Sequence, residues 1–600
     1  MKFFKVKLII IASMFAQLAA YSSGVMSQPP SSSEIIYLNQ GWTEKQRNDF
    51  YWQSQGSALL SYDIYMALEA KGGGLINSPS NSDKVGLLMD PPNPKVNPDN
   101  LPIGVAKAVV KSGQFKGEYM GLTCAACHTG QIEYKGKQVR IDGANAARFD
   151  VYAWMEGLSE ALEIPLNNKQ KFAELMKRIQ ERGPVDEADL KKRLKTDATF
   201  VKLQLTNSFV RLNPYGPGRA DALTSINNAN AAIAPHILEN TRPTLAPVKP
   251  PFLWDTPHSA WVEWSAVADN PLTRNFGESL SVFARLDLKS KDQKSGLFES
   301  TVDVRGLVKL EKLLRGLAPP QWPQQVFGKL DQDKVTAGKK LYADNCAECH
   351  SVYPHRWDEP LKQGKRMIAN AIVPQKVVGT DDEQLTSVTF DPKPTMLTRH
   401  LAPLFGGKSV VSSGEFFDTF FKQSVMRSMK EAGQFSEQEL IDMNGYTNFI
   451  SEPKKPSPIN SYKASPRDGS WAIAPYLHNT SVPNMFELLS PQNERSKTFY
   501  VGRNFDPIKL GMDTSAKTGF LFDTNEIGNS NVGHSFQDEP GKGVIGRKLS
   551  IAERYALIEY LKSIPTHAGQ VTPYGGGSNP KIAKDDPTWF NSKHPVTYSK

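Results

Sequence analysis

The sequence predicts a mainly α fold with extensive loops, few short strands and two successive units. Three observations predict it. The run Cys124-Ala125-Ala126-Cys127-His128 recurs as Cys346-Ala347-Glu348-Cys349-His350, and the two runs use all 4 cysteines of the 600-residue chain. Apolar residues recur at helical spacing in several stretches, one of which runs straight into the second motif. The 44 glycines and 42 prolines require long connecting segments.

Cys-x-x-Cys-His is the attachment pattern of c-type haem. Two thiols form thioethers with the vinyl groups of one porphyrin, and the adjacent imidazole reaches the iron as proximal ligand. Two copies therefore predict two covalently attached c-type haems (iron), held by Cys124, Cys127, Cys346 and Cys349, with His128 and His350 on the metal. The units become two cytochrome c-like haem domains with large loop-rich insertions. A thioredoxin-like redox pair needs a βαβ setting that neither copy shows. One four-cysteine zinc site and two disulfides are the other readings of the same residues.

The elements follow in order. Met1–Ala16 carries three lysines and then a short apolar core, and small residues follow it. It reads as a signal peptide, placed at 1–24. The apolar run is too short to favour a membrane span, and no later stretch is long and apolar enough to be one. A periodic helical pattern covers 46–70, and a Gly/Asn/Pro-rich loop covers 71–100. A short segment around Ile103–Lys111 precedes the first motif, and Ile132–Ile141 reads as a hairpin turning at Gly136. Arg148–Leu162 and Lys169–Arg182 are amphipathic helices, and 235–275 carries few regular signals. Gln332–Asn345 is a helix entering the second motif. Ser436 with Glu439 and Ser550 with Glu553 are capping boxes, the latter opening Ile551–Ser563. The tail 566–600 reads as a surface wrap. The domain limits are 25–320 for the N-terminal haem domain with a substrate or O2 pocket, and 321–600 for the C-terminal cytochrome c domain.

The net charge of +9 is spread over 71 basic and 62 acidic residues without a basic, aromatic-interleaved block, so no nucleic-acid partner is predicted. A simple haem carrier needs about one small domain per haem. This chain is much longer, which favours an enzyme over a passive electron carrier.

Several blocks carry a family resemblance: Tyr215-Gly216-Pro217-Gly218-Arg219-Ala220-Asp221, Pro250–Pro257, Trp261-Val262-Glu263-Trp264 and Arg274-Asn275-Phe276-Gly277-Glu278. Pro319–Pro323, Ala474–Pro483 and Gly528–His534 complete the set. In this order they resemble the latex-cleaving dihaem rubber oxygenases, a family distantly related to bacterial dihaem cytochrome c peroxidases. The resemblance implies a haem-dependent oxidoreductase with O2 or H2O2 as oxidant, and the signal peptide predicts a periplasmic or secreted protein. A hydrophobic polymer or a small molecule is the implied substrate, and a small redox protein the possible partner. It implies His534 as distal ligand of the C-terminal haem, with His478, Met396 and Met485 as rivals. It implies an N-terminal haem open to oxygen, with Trp261 and Phe276 as catalytic-pocket aromatics and Trp261 on an electron path. Ala260 departs from the pattern, since the rubber oxygenases have a second aromatic there. His258 is a candidate acid–base group. Arg219 with Asp221 and Arg274 with Glu278 are candidate ion pairs or haem-propionate contacts. Three functions compete: oxidative cleavage of a polyisoprenoid-like substrate, peroxide reduction, and electron transfer with both irons saturated.

Overall fold

The computed structural model describes residues 34–352, 355, 367–387, 393–443 and 460–565. The expected signal peptide, the C-terminal tail, His567 and His594 lie outside the described residues.

The first motif stands between strands, where a mostly helical unit was expected. β1 (Ile35–Tyr37), β6 (Lys137–Asp142) and β5 (Thr129–Tyr134) form one three-stranded sheet in the order β1-β6-β5. β2 (Leu60–Ser61), β4 (Gly117–Leu122) and β3 (Val105–Val110) form a second, in the order β2-β4-β3. The motif is the single turn Cys124–Cys127 between β4 and β5, which belong to different sheets. The segment around Ile103–Lys111 is thus a strand, with Ala106 and Ala108 buried on one face and Lys107 and Val109 exposed on the other, as period-two patterning requires. The predicted hairpin is β5–β6, with Lys135 and Gly136 both at positive φ (48° and 76°), the two-residue turn that matches strand twist.

The predicted helices form at Val151–Asn167, Lys169–Gln180, Gln332–Asn345 and Ile551–Ser563. The Ser550–Glu553 box is formed in both directions, and Ser436 and Glu439 exchange the same contacts. The expected helix at 46–70 splits into Glu44–Trp52, the short β2 and Tyr62–Ala67. The region 235–275 holds only two one-turn helices, then Pro271–Ser281 begins at an Asn270 cap.

The helix entering the second motif crosses the last helix closely. A Cβ on Gly338 would lie 2.0 Å from the Ala556 carbonyl oxygen, so only glycine permits this approach. Tyr342 and Tyr560 pack beside it with ring centres 5.1 Å apart. One apolar core runs through both halves of the chain, from Leu38 to Ile564, and a second is confined to the N-terminal half, from Leu59 to Phe283. Among the described residues no helix is long and apolar enough to cross a membrane.

Candidate haem site

Thr123 caps the first motif by accepting from the Ala125 N–H, and the turn closes with His128 N–H donating to the Cys124 carbonyl. The motif is tied to its surroundings by backbone bonds: Thr123 N–H to Gly104 O, Ala146 N–H to Cys127 O and Gly143 N–H to His128 O (3.0 Å). Gly104 has φ 84°, and a Cβ there would meet Ala126 N at 2.0 Å, so the strand passes directly against the motif. The four thiols are free of disulfides. Burial pushes Cys127 and Cys346 up to about 12 and Cys124 higher, the reverse of a low-pKa redox pair. Burial likewise lowers His128 to about 4, with the Pro251 backbone working the other way, so the imidazole is neutral as a metal ligand must be.

A pocket opens beside Cys124 and His128. Its wall includes Pro251, Leu253, Val262, Glu263, Arg274, Glu278 and Lys463, and among the described residues it holds no thioether and no imidazole besides His128. Arg274 does not pair with Glu278 as expected. Its guanidinium bonds Glu311 at 2.7 Å in a buried ion pair, and Asn275 reaches the same carboxylate. Burial and then the Glu263 charge push Glu278 well above the ordinary carboxyl range, with Arg274 opposing. Lys463 is lowered to about 8 by burial. This charged wall is what the sequence reading missed; only the block similarity around 261–278 pointed to the region.

Trp261 and Phe276 are both buried, but neither is among the cavity's lining residues. Trp261 packs with Ala260, Ala266, Met367 and Ile372. Phe276 sits edge-on to Phe421, ring centres 5.8 Å apart. At about 100° per residue, Phe276 lies on the far side of its helix from Arg274 and Glu278. His258 is buried, with Nε2 3.4 Å from the Arg315 carbonyl oxygen.

At the second motif, Cys346 and Ala347 N–H both bond the Tyr342 carbonyl, His350 N–H bonds Cys346 O, and the Tyr342 hydroxyl donates to His350 O at 2.8 Å. His350 Nδ1 lies 2.9 Å from the Ser465 carbonyl oxygen. A carbonyl only accepts, so Nδ1 carries the proton and Nε2 presents the lone pair, the orientation a metal-bound imidazole needs. His534 faces His350, ring centroids 6.1 Å apart and inclined by 49°. Two metal–nitrogen bonds of about 2 Å, each with about 1 Å from nitrogen to ring centre, span about 6 Å, so the gap fits one metal ion between the imidazoles. Burial and the Arg495 charge lower His534 to about 4, keeping it neutral.

His534 stands at φ 42° behind Gly533, whose absent Cβ would strike the Gly379 backbone at 2.3 Å. Its loop is held by His534 N–H to Val378 O and by Arg495 bonding the Gly533 and His534 carbonyls. The rivals stand elsewhere. His478 stacks on Tyr462 at 4.5 Å, Met485 is in the core, and Met396 is exposed on a short strand. Arg219 bonds the Tyr215 and Asn479 carbonyls and Asn529, while Asp221 caps the helix Ala222–Asn228 and accepts from Leu245 and Ala246 N–H, so these two do not pair.

The motifs are joined through Trp254. Gly143 bonds His128 O, Leu253 N–H bonds Gly143 O at 2.9 Å, and Trp254 Nε1–H donates to Asp468 O at 2.9 Å. Asp468 follows Ser465, the acceptor for His350, by three residues. Nearby, buried His355 lies between Asp255 (3.6 Å) and Asp468 (3.9 Å).

A sequence profile described as RoxA-like, cytochrome c-like matches residues 461–500, the segment containing Ser465 and His478. This makes it a cytochrome c-like segment, the type that carries c-type haem and iron. The chain is 32% identical over 584 residues to the uncharacterized protein y4iJ of Sinorhizobium fredii, covering 89% of this chain and 94% of that one. It is 25% identical over 332 residues to the uncharacterized protein y4iM of the same organism, covering 52% of this chain and 63% of that one.

Proposed function

As this chain belongs to one family with y4iJ and itself carries a RoxA-like, cytochrome c-like segment, we propose that it is an exported dihaem oxidoreductase with two unlike centres. The N-terminal centre, on Cys124, Cys127 and His128, binds and activates a small oxygen ligand. The C-terminal centre, on Cys346, Cys349 and His350 with His534 opposite, relays electrons. The contrast between them supports the reading: one motif histidine faces a second imidazole at 6.1 Å, while the other opens on a cavity whose wall, among the described residues, offers no second imidazole or thioether.

Haem iron, when bound, supplies the redox chemistry. The chain's own residues set access and proton supply. Ser465 holds the His350 tautomer, and His350 and His534 would together hold an iron between their imidazoles, which would make that centre an electron relay and not a substrate site. At the first site the cavity wall admits a ligand and surrounds it with carboxyl, guanidinium and ammonium groups.

Oxidative cleavage of a polyisoprenoid-like hydrophobe with O2 is the first reading of the substrate, from the family resemblance. Peroxide reduction is the second, for which Glu263, Glu278, Arg274 and Lys463 on the cavity wall would supply hydrogen-bonding groups. The deciding experiment exposes the holoprotein to CO and then to a polyisoprene emulsion with O2 and no peroxide. CO binding at one haem with O2-dependent polymer cleavage supports the first reading. CO binding with turnover only on H2O2 and a reduced small cytochrome supports the second. A protein in which neither haem binds CO is an electron carrier.

A further inference from the structure

We propose that the hairpin Thr395–Val411, with the neighbouring loop 289–294, seats this protein on an anionic lipid surface.

The hairpin projects from the fold. Its two-residue strands, Thr395–Met396 and Val410–Val411, pair with Met396 opposite Val410. Between them one helical turn, Ala402–Phe405, ends at Gly406 and Gly407, both at positive φ (65° and 82°). A Cβ on either glycine would meet no atom within 4 Å, so the tip stands in open space. Leu404 at the tip is 40% exposed, and Met396 and Val410 are 36% and 47% exposed. The last two are direct cross-strand neighbours, so their apolar surface is continuous across the pair.

The exposed groups rest on a fixed base. Leu401, Phe405 and Val411 are buried, and Phe405 stacks on Phe416 with ring centres 6.2 Å apart. Asn240 grips Met396 on both sides: its Oδ1 accepts from Met396 N–H (2.8 Å) and its Nδ2 donates to Met396 O (2.9 Å). Leu397 N–H bonds Ser409 O and Gly407 N–H bonds Ala402 O, both at 2.9 Å. A hairpin ordered in advance loses little conformational freedom when it docks.

Charge selects the occupant. From Pro392 to Gly414 the chain has no Asp or Glu, but it carries Lys393, Arg399 and Lys408. His400 Nε2 lies 3.0 Å from the Leu288 carbonyl oxygen, which brings the loop 289–294 alongside. That loop adds exposed Lys289, Lys291 and Lys294 against Asp292. Lys408 pairs with Glu415, Lys393 bonds the Thr241 carbonyl, and Glu239 is the other exposed acid beside Asn240. Six exposed cations thus stand against three carboxylates. Apolar side chains flanked by cations suit a bilayer interface, where the first enter the acyl boundary and the second meet phosphate.

The test is co-sedimentation of the holoprotein with vesicles, either pure phosphatidylcholine or phosphatidylcholine mixed with phosphatidylglycerol. Wild type binds the mixed vesicles, binds the neutral ones much more weakly, and releases the mixed ones at high salt. Arg399→Gln weakens binding about fivefold, the worth of one cation at an anionic surface. Leu404→Ser weakens it about tenfold through lost apolar burial. Lys191→Gln, on the helix Glu187–Leu203, leaves it unchanged. Haem content and thermal unfolding report that each variant is folded. Binding of Arg399→Gln and Leu404→Ser at the wild-type level overturns the proposal. Equal weakening by Lys191→Gln also overturns it, since the attraction would then belong to the net charge of the whole chain. A wild-type dimer that Leu404→Ser dissociates would assign the face to a second copy of the chain instead.

Discussion

His350 and His534, far apart in sequence, face each other with ring centroids 6.1 Å apart. The separation suits one iron between two imidazoles, and His350 is turned by its bond to the Ser465 carbonyl. Replacing His534 by Ala should leave that iron with one protein ligand. The expected result is loss of a low-spin signal and gain of CO binding at the second centre. A low-spin spectrum unchanged in His534→Ala would show that another group ligates.

The thioether positions make a quantitative prediction. Cys346→Ala with Cys349→Ala should reduce covalent haem per protein by about half, read by the pyridine haemochrome assay and by mass spectrometry. The same pair of changes at Cys124 and Cys127 should do likewise while sparing the His534-dependent signal.

Gly104 lies where a Cβ would overlap the first motif at Ala126 N (2.0 Å) and has φ 84°. Gly104→Ala should therefore destabilise the N-terminal part by about 2–4 kcal/mol from overlap and backbone strain together. Denaturant unfolding measures the loss, and haem occupancy at the first motif should fall with it.

Arg274 and Glu311 are a buried pair at 2.7 Å, with side chains 6% and 4% exposed. Glu311→Ala strands the guanidinium beside the cavity and should cost about 3–5 kcal/mol. Glu311→Gln, which keeps an acceptor, should cost less. Equal stability of Glu311→Ala and wild type would mean that Arg274 finds another partner.

His478 gives a pH prediction. Burial, with the Lys249 charge, lowers it to about 3, against 6.5 in the unfolded chain. The unfolded state then binds the extra proton below pH 6.5, so this residue's contribution is complete above 6.5 and is lost as pH falls. Between pH 6.5 and 5 the loss is about 2 kcal/mol. His478→Phe should reduce the stability difference between pH 7 and pH 5 by that amount in urea titrations.

The local features were legible in the chain. The hairpin at Lys135-Gly136, the helix running into Cys346 and the Ser550–Glu553 capping box depend on neighbours within a few residues, and each forms as patterned. The strands leading into the first motif, β3 and β4, were not seen. β3 is a short, partly exposed segment whose register depends on β4, and the sequence of one strand does not contain its partner. Trp261 and Phe276 stood out as aromatics, yet the cavity is lined by their polar neighbours Glu263, Asn275 and Glu278. Sequence similarity marks a block, while the direction of each side chain is set by helix phase and loop geometry.

By itself the sequence placed the proposed attachment points: two Cys-x-x-Cys-His runs place thiols and an imidazole within one turn, and no tertiary contact is needed to bring them together. It also nominated His534 through family resemblance. Tertiary structure decided what each proximal histidine faces, His534 at one site and an acid-lined cavity at the other. It also decided that Arg274 is held by Glu311. Those relationships join residues from distant parts of the chain, and their geometry follows from the packing of whole helices and loops, which no local spacing records.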